Sequence, residues 1–250
     1  VKIVLHMALV AAFLLSGMAR RALAQTQTSA LDSLTANWSD DQRAQARTRL
    51  EVLLKAGLPE SEALGRLEEW RAKGADPTQA LALLTTLSGQ AEQARQALQS
   101  SSLEVKPGLI SATVDALAAG VSRHQLEQVL GDVHEGDLAR ARILALTTLV
   151  AQGFPGEKSA EVVLLAGQRS YGKPELSLLT HSAARLIQEG VGSQELVLHQ
   201  LDGAIRSGIS ARELYPEVLR AIKTNHPFGH TPPPESGFNH PVLRVPQIGH

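Results

Sequence analysis

Two groups of side chains have types and spacings that could do chemistry. His226, His230, His240 and His250 fall together near the C-terminus, and imidazole nitrogens suit Zn²⁺, Cu²⁺ or Ni²⁺. Ligands strung along a proline-rich stretch must lose chain entropy to converge, so the expected affinity is modest, and a plain solvated tail is the competing reading. Ser170-Tyr171-Gly172-Lys173 has the Ser-x-x-Lys spacing of nucleophilic serine chemistry. That chemistry needs the serine to open a helix with the lysine one turn on. Gly172 and Pro174 instead put the tetrad in a turn, and its companion motifs are missing, so the match reads as chance. No His-Glu-x-x-His helix, phosphate-cradling glycine loop, Gly-x-Ser-x-Gly turn or dinucleotide fingerprint occurs. Zero cysteine excludes thiolate catalysis, Cys-ligated zinc, Fe–S clusters, disulfides and lipoprotein acylation. No catalytic residue and no cofactor is implied.

The chain that must position these residues has 250 of them, and 34 Ala plus 39 Leu make 73, a mix that favours helix. A net charge of −1 argues against nucleic acid as a partner, which would call for a basic excess. Residues 1–24 stand apart. Lys2 precedes an apolar run from Ile3 to Leu15, and Ala22-Leu23-Ala24 offers small residues before Gln25, the layout of a secretory signal peptide. Arg20 and Arg21 beside the cleavage site are unusual, and an uncleaved anchor or a buried amphipathic helix are the alternatives. The apolar run is shorter than the roughly 20 residues that span a bilayer. Loss of 1–24 removes Lys2, Arg20 and Arg21 and no acid, leaving 21 basic and 25 acidic residues. No later run reaches transmembrane length, so the expectation is a periplasmic or secreted protein without an integral membrane segment.

The body carries a recurring phrase: Gly, an apolar residue, Ser/Gly/Asp/Pro, two variable residues, Glu/Gln, then Leu or Ala. Its copies begin at Gly57, Gly74, Gly120, Gly190 and Gly208, with a degenerate sixth at Gly153. The Gly suits the left-handed residue past a helix end, and the third residue the N-cap of the next helix. The Glu/Gln closes a capping box, and the apolar residue staples the entry. Weaker junctions stand at Gly136 and Gly172-Lys173-Pro174. The spacing predicts helices near 40–56, 59–73, 77–87, 90–99, 109–119, 123–133, 137–152, 156–168, 174–189, 193–207 and 211–224. That is an all-α array of about ten to eleven short antiparallel helices, stacked as helical-hairpin repeats. Pro216 should kink the last helix or mark its true start. Residues 25–38 read as a flexible leader, 39–224 as the repeat domain with a possible hinge near 100–108, and 225–250 as a disordered Pro/His-rich tail. Val242-Leu243-Arg244-Val245 in that tail could add to a partner or lie back on the helices.

Glu60-Ser61 is similar to the opening of a lytic transglycosylase motif, in which a glutamate of raised pKa works in a cleft. The Gly-Leu-Met-Gln segment expected downstream is absent, and Glu60 falls inside the junction phrase, so capping is the preferred account. His124, His134, His181 and His199 are isolated. The Gly-apolar-Pro/Ser-x-x-x-Leu rhythm over 57–224, behind a signal peptide, resembles a loose group of exported bacterial all-helical proteins of unknown function, and it implies no site residues. The expectation is therefore a non-enzymatic envelope protein that binds another protein through its stacked helices. A cell-wall-active enzyme with an acidic site and weak transition-metal binding through His226, His230, His240 and His250 are the alternatives.

Overall fold

Capping chemistry sets most of the helix boundaries. The computed structural model describes residues 30–101, 103–225 and 228. Among these the regular structure is helical throughout: α1 (30–34), α2 (Asp40–Ala56), α3 (Glu60–Ala72), α4 (Pro77–Ser100), α5 (Pro107–Ala118), α6 (Arg123–Leu130), α7 (Gly136–Ala151), α8 (Gly156–Gln168), α9 (Lys173–Gln188), α10 (Gln194–Arg206) and α11 (Leu214–Thr224). Ser39 with Gln42, Asp76 with Gln79 and Ser122 with Gln125 form reciprocal capping boxes. The phrase glycines all take positive φ, from 66° at Gly190 to 97° at Gly57, where a Cβ would be strained. At Gly57 the amide donates to Leu54 O at 3.0 Å and the next amide, of Leu58, to Leu53 O at 3.1 Å. The same bonding recurs one junction after another, and the apolar residues behind the glycines, Leu58, Val121 and Phe154, are buried.

Several junctions depart from the phrase. Pro59 caps α3 without a side-chain bond, so Glu62 is released from capping and instead holds Arg66 and Ser111. At the Gly190 junction the N-cap is Ser193, one residue later than Gly192, because its hydroxyl reaches the Leu196 amide at 3.2 Å. Leu196 is thereby left exposed and Val197 takes the buried place. Ser210 starts a turn, not a helix; Pro216 lacks the amide that would continue a helix back to Arg212, so α11 begins at Leu214. The two helices expected at 77–87 and 90–99 are one. Ala80, Leu84, Leu87, Ala91, Ala94 and Leu98 form an unbroken buried stripe past Gly89. Residues 30–38, expected as part of a leader, contain α1 and pack onto the core through Leu31 and Trp38. The segment suspected as a hinge is pinned by buried Leu103 and by Val105, which packs beside Gly57.

α4 packs on α2, and each helix from α6 onward packs on the helix two before it. The even helices α2, α4, α6, α8 and α10 form one layer, and α5, α7, α9 and α11 a second. Arg66 and Glu62 of α3 join that second layer by bonding Asp115 and Ser111 of α5. Most consecutive helices, such as α4 with α5, α7 with α8 and α10 with α11, touch across the two layers. This i, i+2 pattern is the signature of a two-layer helical solenoid. Polar bonds between repeats reinforce it: Gln194 Nε2 donates to Gln152 O at 3.0 Å, and the Tyr171 hydroxyl to Ile209 O at 2.6 Å. Burial pushes the Tyr171 phenol above its ordinary pKa, which keeps it a donor. α8 buries Ala160, Val162, Val163, Leu165 and Ala166 and touches α6, α7 and α10. No described helix is long and apolar enough to cross a membrane.

Candidate binding groove

The middle helix of the odd layer, α7, packs against α5, α6, α8 and α9. Along it only Asp137, Arg140, Leu144 and the terminal Ala151 are exposed. Its apolar composition, Ala141-Arg142-Ile143-Leu144-Ala145-Leu146, buries one side against α6 and α8 and leaves Leu144 facing out at 45% exposure. That is the largest exposure of a big apolar side chain among the described residues. Leu144 lies in a groove of about 420 Å3 between α7 and α9. Small side chains of α7, Ala141 and Ala145, open the groove, Leu176 floors it, and Thr148, Ser177 and Thr180 line it. Arg140 and Lys173 stand at its mouth with Asp137. A second groove of about 610 Å3, between the starts of α5 and α7, shares Asp137 and Arg140 and adds Lys106, His134 and Glu135. The two therefore meet at Arg140 and cross the odd layer from α5 to α9.

A buried arginine fixes the start of α7 and hence the groove mouth. Arg142 is 2% exposed; its Nη1 donates to Val129 O at 2.9 Å and pairs with Asp132 in the α6–α7 turn. Gly167 of α8 makes room for it, since a Cβ there would fall inside the guanidinium. Arg142 thus anchors a five-residue turn that lacks the glycine phrase. Its Nε finds no partner among the described residues, a desolvation cost accepted at a tightly packed corner.

The groove residues were not singled out by the sequence. Arg140, Leu144, Thr148, Ser177 and Thr180 belong to no motif, and only the i, i+3/i+4 spacing within each helix could have put them on one face with Lys173. Of the residues singled out from the sequence, Lys173 lines the first groove and His134 the second. Ser170 is the left-handed end of α8, Gly172 the N-cap of α9 and Lys173 its first residue, so Ser-x-x-Lys here is a helix junction. Glu60 opens α3 outside both grooves, and burial raises its carboxyl above the usual carboxylate range. Asp137 lines both grooves, and Glu135 joins it in the second. His124, His134, His181 and His199 are all exposed, and no group of three or more metal-ligating side chains converges among the described residues. His226, His230, His240 and His250, like residues 1–24, lie outside the described residues.

Fold and groove together define a helical-repeat protein with a laterally open face. Compared with protein-family models, curated proteins and solved structures, the chain matches none of them.

Proposed function

We propose that this chain is an exported helical-repeat binding or scaffold protein of the bacterial cell envelope, and that it holds a segment of another protein along the groove between α7 and α9. The observation that carries this reading is Leu144, a large apolar side chain left in water at the centre of the odd layer and flanked by Arg140 and Lys173. Burying the exposed part of such a side chain against a partner is worth roughly 1 kcal/mol, whereas leaving it exposed serves no purpose within the stack. The small walls Ala141 and Ala145 admit an apolar partner residue, and the two cations suit a carboxylate next to it. Thr148 and Thr180 spend their hydroxyl protons on Leu144 O and Ser177 O, which leaves their oxygens as acceptors for a partner's amides. Export rests on the apolar run and small-residue site in 1–24, and the junction rhythm is shared with the loose group of exported helical proteins it resembles.

A photo-crosslinking residue placed at Leu144 or Thr180 tests the location, with Leu83 and His199 of the even layer as controls. Crosslinking of one discrete protein from the groove positions but not from the controls supports the reading. Equal crosslinking from both layers, or none from the groove, contradicts it.

A further inference from the structure

Beyond α11, Phe228 lies against α10. Asn225 ends α11 in the left-handed conformation, φ 53°, with its amide on Ala221 O and Ile222 O. Three residues on, Phe228 packs against the core, and its backbone N–H donates to Gln200 Oε1 at 3.3 Å. Gln200 lies in the middle of α10 and is 4% exposed. A buried side-chain oxygen needs a donor, and Phe228 supplies one. One turn further along the same helix is Gly203. A Cβ at Gly203 would sit 2.6 Å from Phe228 Cβ and 3.2 Å from its carbonyl oxygen, so only a residue without a side chain admits Phe228 there. Neither feature serves α10 itself: a mid-helix glycine weakens a helix, and a buried glutamine is tolerated only when bonded. Both fit Phe228 beyond α11. A repeat stack also requires its last unit to be covered, because the final helix pair has no successor to bury its inner face.

We propose that Gln200 and Gly203 form a docking notch on α10 whose occupant is this chain's own Phe228, which covers the C-terminal end of the stack. Full-length chains carrying Gly203→Ala, Phe228→Ala and both test it, with amide exchange of Leu201–Arg206 as the readout. Alanine improves helix propensity, so by itself it slows exchange in α10. In the wild-type background Gly203→Ala is instead expected to expel Phe228 and speed exchange by about 5–30-fold, the range of one to two kcal/mol. Phe228→Ala should do the same. In the Phe228→Ala background the sign reverses, and adding Gly203→Ala slows exchange. A Gly203→Ala effect of the same sign in both backgrounds, or no effect of Phe228→Ala, overturns the proposal.

Discussion

At the scale of single residues, the junctions show how much a left-handed position matters. Ser170 occupies the place that glycine takes in the other phrases: φ is 62°, its amide reaches Gly167 O at 2.9 Å, and Tyr171 bonds Ala166 O at 3.0 Å. A non-glycine residue there carries backbone strain of roughly 1 kcal/mol. Ser170→Gly is therefore expected to stabilise the chain by about 0.5–1 kcal/mol, read as a raised denaturation midpoint, and Ser170→Val to lower it. The resemblance of this tetrad to a catalytic spacing thus dissolves into an imperfect copy of the repeat phrase, Ser-Tyr-Gly-Lys-Pro-Glu-Leu, with the same roles at the same places. A second residue-scale device clamps α11 to α9. The Tyr215 hydroxyl donates to Glu189 Oε1 at 2.6 Å, and Arg185 lies 3.9 Å above the Tyr215 ring while bonding Glu189 at 3.0 Å. The Tyr215 bond, then Arg185, hold the Glu189 carboxyl below its usual value, and the same bond raises the Tyr215 phenol. A lowered folded pKa means that the clamp's contribution is present above the ordinary carboxylate pKa and lost as pH falls through the folded value. Tyr215→Phe should move the Glu189 titration upward toward ordinary glutamate, as followed by NMR of the side-chain carboxyl.

At the scale of elements, what was legible in the sequence was whatever local chemistry decides. Glycine at a helix end and Ser or Asp at a helix start act within one turn, so the boundaries at Asp40, Pro77, Arg123 and Gly156 could be read from single phrases. Where tertiary packing competes, local reading fails. Ser88-Gly89 looks like a break, yet the Ser88 hydroxyl bonds Leu84 O at 2.7 Å and the buried stripe keeps its spacing from Ala80 to Leu98, so neighbours on both sides hold α4 straight. The stripe was visible in the sequence and outweighs one glycine, whose penalty is only about 1 kcal/mol. Gly89 has no atom within 4 Å of a would-be Cβ and no positive φ. Gly89→Ala should accordingly raise stability by about 0.5–1 kcal/mol; a loss measured by chemical denaturation would mean α4 needs its flexibility there. The short α1 escaped notice for the opposite reason. It has no cap phrase, and its place depends on where Leu31 and Trp38 are buried, which only the assembled stack decides.

At the scale of the whole molecule, repetition makes the fold legible and the site illegible. Junctions repeat, so their rhythm announces a stack before any contact is known. A groove does not repeat: it arises where α7 and α9 happen to place small residues opposite one another, from positions far apart in the chain. Nothing in the composition marks Leu144 off from the 38 other leucines; only its 45% exposure inside a groove does. Binding of this kind uses area and placement, with no motif required. The affinity of the crosslinked partner for purified chains carrying Leu144→Glu in the groove or Leu83→Glu in the even layer tests this most directly, since both leucines are exposed on their own helices, at 45% and 38%. Leu144→Glu should weaken binding at least tenfold, about 1.4 kcal/mol or more, with Leu83→Glu leaving it unchanged. Equal affinities for the two variants would contradict the groove as the site of function.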